Sequence, residues 1–477
     1  MKISTTNLFY LPFIVILLIW SLSPNIHFLD EFNRYDEKRL FQIFIIVLVG
    51  ICTLLLSDVR NALYTTLKTI PTASRWAISI FFLIGILSAI FSESPRHSFL
   101  DISLLLLLFL SSLYIASVVI KSPITASEWL MAAFVFAISL HFGVFISQFI
   151  MMLQGALEPS FAGLFTGFIN PRFGNQWQGM VLPIIIGTAI YYQKYSVKIF
   201  YITLFLAAFM WMNILFSSGR GVVLATILGV LLTGILFKSH RKAWWKLNLS
   251  VLASGIMLYA LVIFMIYLST DTFILANQHL IDSSSSGRFS LWLSALQLTS
   301  LNPWIGIGPM QFAQLDQNEI AAHPHNIVLQ LLAEWGVIAT ILVVAITLYG
   351  FIKWIRFGTA QINTHPKSTI LYSALTSAFI TANFHALVSG VWVMPLSQLT
   401  LIIIIGWMYG LYMQMNTKIT THSKPIFFLA VILLTLVVFI YGLYPELSNL
   451  TNWLQTSFEA TGSSYLHPRF WSQGTIL

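Results

Sequence analysis

His-Pro-His-Asn at 323–326, running into Ile-Val-Leu-Gln-Leu-Leu-Ala-Glu-Trp-Gly at 327–336, marks the point where a polar stretch becomes a hydrophobic helix. The polar stretch begins near Ser269 and contains Asp-Ser-Ser-Ser-Ser-Gly-Arg at 282–288 and Asn-Pro-Trp-Ile-Gly-Ile-Gly at 302–308. It interrupts a chain that is otherwise almost continuously apolar. Reading it as an exposed loop makes the remainder membrane.

Composition requires the same conclusion. The chain has 477 residues, of which 57% are hydrophobic and 8% charged, and its mean hydropathy is +0.84. Soluble domains carry about a quarter charged residues, so a soluble globule is excluded. The 16 prolines and 26 glycines suit interrupted helices, and the 15 tryptophans suit interfacial belts. Cys52 is the single cysteine, which excludes a disulfide framework and a cysteine metal site. The fold expected is an all-α polytopic membrane protein with about 12–13 transmembrane helices and one larger loop on the outer side.

Thirteen apolar windows are long enough to cross a bilayer, from 7–23 to 426–444. The weakest are 178–193 and 369–388. Lys2 alone precedes the first window and no small-residue cleavage site follows Trp20, so that window is expected to be a retained helix. Residues 1–444 then form one integral membrane domain. Residues 269–325 form the outer loop carrying the candidate site, and 445–477 form a short C-terminal tail expected on the same outer side, which the resemblance named below makes periplasmic.

With the N-terminus inside, 16 of the 24 basic residues fall in cytoplasmic loops. The outer eight are Lys38 and seven arginines, including Arg172, Arg220, Arg288 and Arg469. The net charge of +8 is therefore divided by the membrane and gives no reason to expect nucleic acid. Arginine suits bidentate contact with phosphate or carboxylate, so an external anionic ligand is implied. The first outer loop, 24–39, mixes four acids with three basic residues and is expected to be self-paired and solvated.

His325 would lie at the N-terminus of the helix that opens the tenth span. There the helix dipole favours a neutral imidazole, and a neutral histidine can act as a general base. The same spacing suits plain capping by His325 and Asn326. Arg220 and Arg288 each follow a glycine in a serine-rich turn, a setting whose backbone N–H groups help form anion-binding concavities. Arg220 equally suits snorkelling to headgroups. His323 and His325, with Asp316 and Glu319 upstream, match no dependable metal-ligand spacing, so no metal is expected. His385 and Asn383, inside the eleventh span, are read as bonding a neighbouring helix.

These residues resemble the bacterial O-antigen ligase and O-oligosaccharyltransferase superfamily. The resemblance rests on Ser-Ser-Gly-Arg-Gly at 217–221, Gly-Arg-Phe-Ser-Leu-Trp at 287–292, Asn-Pro-Trp-Ile-Gly-Ile-Gly-Pro-Met-Gln-Phe at 302–312, and His-Pro-His-Asn with Leu-Gln-Leu-Leu-Ala-Glu-Trp-Gly by 336. It covers roughly 210–400. It implies metal-independent, inverting transfer of a glycan from undecaprenyl pyrophosphate at the periplasmic face of the inner membrane, with no cofactor. His325 would be the base, and Arg220 and Arg288 would bind the pyrophosphate, joined by Arg172 on its loop context. His323, Asn326 and Ser218 would support them.

The acceptor expected is a Ser/Thr hydroxyl of a protein, a type IV pilin. Residues 35–39, 170–178 and 330–336 look more like the pilin-directed branch. The alternatives are ligation to lipid A core, for which the short C-terminal tail leaves room, and O-antigen polymerisation. A transporter is the rival from another class, but repeated halves with matched broken helices are its usual mark, and no internal repeat is present here.

Overall fold

The computed structural model describes residues 5–158, 160, 164–165, 167–270, 287–314, 321–361, 366–414, 425–447, 450 and 468–474. The polar run at 282–286, Asp316 and Glu319 lie outside the described residues, as does 451–467 of the C-terminal tail. The described residues form an all-helical bundle. Its first half comprises α1 (Thr5–Leu22), α2 (Arg34–Leu55), α3 (Ser57–Thr69), α4 (Thr72–Ile90), α5 (Pro95–Lys121), α6 (Pro123–Leu153) and α7 (Pro171–Tyr192). The second half comprises α8 (Val197–Phe216), α9 (Arg220–Leu236), α10 (Arg241–Thr270), α11 (Arg288–Leu301), α12 (Ile327–Gln361), α13 (Pro366–Ala386), α14 (Pro395–Met413) and α15 (Ile426–Leu447).

Each of the thirteen apolar windows coincides with one of these helices. Among the described residues, nine helices are long and apolar enough to cross a membrane, and α9 and most of α1 are shorter apolar helices. The two windows that read weakest became α7 and α13. Their low hydropathy has a physical cause: both are packed inside the bundle, where Asn175, Gln176, Gln178, Ser377 and Thr381 are buried away from lipid. The protein is a multi-pass membrane protein.

Small residues let the central helices approach closely. On α14, a Cβ on Gly406 would stand 2.5 Å from the Ser112 carbonyl oxygen of α5, and one on Gly410 would stand 2.5 Å from Val119 Cβ. This is the small-xxx-small spacing by which membrane helices gain van der Waals contact without a hydrophobic driving force. Helix α5 is buried over most of its length.

The tenth span departs from the continuous helix expected. Gly336, with φ 79° and ψ 175°, breaks α12 into a short segment, 327–335, and a long one. The break frees backbone groups that lipid could not satisfy. The 302–308 loop supplies their partners. The Ile307 N–H donates to the Ala333 carbonyl at 2.9 Å and the Gly308 N–H to the Glu334 carbonyl at 3.1 Å, while the Val337 N–H donates to the Pro303 carbonyl at 2.8 Å. A Cβ at Gly336 would sit 2.5 Å from the Trp304 carbonyl carbon, so the loop lies directly against the break.

The expected solvated loop at 24–39 is corrected. Asn33 caps α2 by accepting from the Tyr35 and Asp36 N–H groups, and Asp36, Glu37, Lys38 and Arg39 are all buried. They are not paired with one another in water. Glu37 accepts from the Leu29 N–H and contacts His27, and Arg39 donates to the Phe470 and Val393 carbonyls, each at 2.8 Å. Asp30 and Glu31 are exposed as expected, whereas the charges at 36–39 are buried anchors.

Candidate active site

The first part of the site is the turn between α8 and α9. Ser217 Oγ lies 2.7 Å from both Asn175 Oδ1 and the Ile214 carbonyl oxygen. Ser218 adopts φ 54°, and the Arg220 N–H donates to its carbonyl at 3.1 Å. A Cβ on Gly219 would be only 2.3 Å from Asn175 Nδ2. Asn175 lies one turn beyond Arg172 on α7, so α7 both carries Arg172 and holds the turn that presents Arg220. Both arginines have exposed side chains.

The second part is α11, which starts at Arg288 behind the left-handed Gly287. One turn along, the Trp292 indole N–H donates to the Pro324 carbonyl at 3.0 Å. Positions four apart share a helix face, so this bond fixes the face carrying Arg288 against the His-Pro-His turn.

That turn is the third part. His325 has φ 53°, and among the described non-glycine residues only Ser218 and Met310 share a positive φ. Left-handed conformations are uncommon outside glycine and persist only where surroundings impose them, often at functional sites. Here the imposing group is His323, whose Nδ1 accepts the His325 N–H at 3.2 Å. The two rings lie 4.1 Å apart between centroids. His323 is buried and packs on the Gly390 backbone, whereas His325 is only half-buried. Asn326 Oδ1 accepts from the Val328 and Leu329 N–H groups and caps the short helix.

Electrostatics tie the three parts together. Burial lowers the Arg288 pKa, and the positive charges of Arg172 and Arg220 lower it further. Burial also lowers the His325 imidazole to about 4, with Arg288 and then Arg172 adding to the effect. His323 is pushed well below the usual histidine range by burial, then by His325, then by Arg469. Three like charges and a neutral imidazole held together cost free energy in the unliganded protein. An anion placed among them would offset that cost, and a lowered imidazole pKa favours the neutral ring, which keeps one nitrogen available to accept a proton.

All the predicted site residues therefore fall in one neighbourhood. His325, Arg172, Arg220 and Arg288 interact electrostatically, while His323, Asn326 and Ser218 shape the backbone that presents them. Four further residues carry roles that the sequence reading did not assign. Asn175 holds the Arg220 turn, Trp292 joins α11 to the histidine turn, and Glu334 and Arg469 join the short helix to the C-terminal segment. Asn175, Trp292 and Glu334 lie inside stretches named above, but their partners stand 42, 32 and 135 positions away, which no local pattern shows. His385 packs 3.6 Å from a Cβ built on Gly221, next to Arg220. Asn383 donates within its own helix to the Phe379 carbonyl.

No match was found among curated proteins. Residues 202–344 match the family model described as O-antigen ligase, a stretch that includes Arg220, Arg288 and His325 but not Arg172. With the geometry above, that match supports membership of the O-antigen ligase superfamily and the activity of a membrane glycan ligase.

Proposed function

We propose that the protein transfers an oligosaccharide en bloc from undecaprenyl pyrophosphate to a serine or threonine hydroxyl of a protein acceptor, a type IV pilin, at the periplasmic face of the inner membrane. The observation that carries this reading is the half-buried, left-handed His325, lowered in pKa by burial and then by Arg288 and Arg172, with Arg220 interacting with Arg288. His325 takes the proton of the acceptor hydroxyl. The hydroxyl oxygen forms a bond to the anomeric carbon as the bond from that carbon to the pyrophosphate oxygen breaks, inverting the configuration. Undecaprenyl pyrophosphate leaves with the bonding electrons. Preorganised arginines stabilise the charge that develops on it, which is commonly the largest catalytic contribution. The base contributes roughly 10²–10⁴-fold.

His323 is a poorer candidate for the base, because its Nδ1 already accepts the His325 N–H and its ring is buried. A second acceptor reading, ligation to lipid A core, draws on a cavity of about 480 Å³ between α4, α5, α12 and α14. Phe81, Leu104, Leu331, Trp335 and Ile346 line its apolar part, which suits a hydrocarbon chain, while Arg39, Asp101 and Arg469 line it as well.

The test is reconstitution with purified undecaprenyl-pyrophosphate glycan, offering pilin, lipid A-core and a second lipid-linked glycan in separate arms. Transfer to pilin alone supports the first reading. Transfer to lipid A core supports the second, and chain extension indicates polymerisation. Full turnover by His325→Ala would remove the proposed base.

A further inference from the structure

We infer that the C-terminal segment 468–474 belongs to the site, and that Arg469 is a positioning residue that holds the His325 turn through Glu334. The inference rests on the transferase reading only for its kinetic arm.

Arg469 Nη2 donates to both carboxylate oxygens of Glu334, at 2.8 and 2.6 Å. The two side chains are 4% and 0% exposed. Glu334 occupies the last turn of the short helix 327–335, and the Asn326 cap at the other end follows His325 directly. At 1.5 Å per residue this helix is a rigid rod of roughly 13 Å. Because Gly336 breaks α12, the long membrane-spanning segment cannot hold that rod in line. The anchors that hold it include the backbone bonds from the 302–308 loop, the Trp292 bond to Pro324, the stacking of Trp335 on Phe81 of α4, the Phe312 N–H bond to Glu334, and the Arg469–Glu334 pair. In a continuous helix, the last of these would be superfluous.

Arg469 is itself firmly placed. The Tyr35 hydroxyl donates to the Arg469 carbonyl at 2.6 Å, Arg39 Nε donates to the Phe470 carbonyl at 2.8 Å, and the Ser472 N–H donates to Asp36 at 2.7 Å. The charged start of α2 therefore serves as the clamp for this segment. Trp471 adds a bond from its indole to Glu446 of α15 at 2.7 Å. Position is thus transmitted from α2 and α15 through Arg469 to Glu334, and along the short helix to His325.

A buried pair broken on one side leaves a charge unpaired and strongly destabilises. The test therefore uses Arg469→Ala and Arg469→Lys together with the double variant Glu334→Gln/Arg469→Gln made in an Asp101→Asn background, because buried Asp101 also interacts electrostatically with Arg469 and Glu334, all in the full chain in lipid nanodiscs. Hydrogen exchange of peptides covering 321–336 is measured beside thermal stability and transfer kinetics. The expected result for Arg469→Ala and for the double variant is exchange in 321–336 faster by about 10-fold or more, with α5 and α7 unchanged. Turnover per folded molecule should fall by roughly 10- to 100-fold at unchanged donor KM, since small misplacements near reacting groups have effects of that size. Arg469→Lys, which keeps the charge but shortens and reshapes the group that reaches Glu334 through Nη2 alone, should recover part of both. Unchanged exchange in 321–336 in the double variant would overturn the inference, as would a loss of melting temperature with turnover per folded molecule intact. If the wild-type chain transfers no glycan, the transferase reading fails, and the exchange measurement still decides the role of Arg469.

Discussion

The Trp292 indole N–H donates to the Pro324 carbonyl oxygen at 3.0 Å, so the helix that begins with Arg288 and the turn that ends in His325 move as one piece. The bond joins the helix that carries the proposed anion-binding Arg288 to the turn that carries the proposed base, His325. Trp292→Phe keeps the ring but removes the donor. A neutral hydrogen bond contributes about 1 kcal/mol net, so a small loss of thermal stability is expected in a detergent melt. Turnover should fall further, by roughly 10-fold, because orientation is lost as well.

The pH dependence follows from His325. Its imidazole lies near about 4 in the unliganded site, held down by burial first and by Arg288 and Arg172 after it. The base is required neutral, so the acid limb of kcat/KM should lie well below pH 6. A bound pyrophosphate offsets the arginine charges, and the acid limb of kcat should therefore lie at higher pH than that of kcat/KM. Coincident limbs across a pH–rate series would argue against a shared site for the base and the anion.

Stability carries the same sign. The reference imidazole value is about 6.5, and the folded state holds His325 below it, so the unfolded chain binds more protons between those values. The contribution of His325 to stability is present above pH 6.5 and is lost as pH falls toward 4. Arg288→Ala removes the larger of the two arginine effects. It should raise the His325 value, moving the acid limb of activity to higher pH while weakening donor binding. Titration of kcat/KM for the two proteins measures the displacement.

Gly336→Ala tests the broken helix. At φ 79° a side chain is strained, and its Cβ would stand 2.5 Å from the Trp304 carbonyl carbon. Loss of the 302–308 loop contacts would leave the Ala333 and Glu334 carbonyls unsatisfied. The expected result is a melting temperature lowered by several degrees, as for other incompatible glycine replacements. Hydrogen exchange over 302–312 should accelerate with it.

The turns that carry the candidate residues were legible because polar residues stand out against an apolar background. Arg220 and Arg288 follow glycine in serine-rich turns, and His325 stands before a helix start. Arg39 and Arg469 look the same on a charge count as Arg172, yet Arg39 holds the Phe470 and Val393 carbonyls and Arg469 holds Glu334. Arginine composition points to an anion site without separating ligand-binding residues from anchors, because that distinction depends on partners more than a hundred positions away.

By itself the sequence determined the thirteen apolar windows, the all-helical class and the polar turns between helices, because hydrophobic length and local breakers act over a few turns of chain. Tertiary structure alone decided that α12 breaks at Gly336 with its freed carbonyls taken by the 302–308 loop. It also decided that the charged start of α2 is buried and clamps Phe470 and Ser472, and that Glu334 finds Arg469 across 135 positions. Buried polar groups must be satisfied by whatever the fold brings near them, and only the packed bundle specifies what that is.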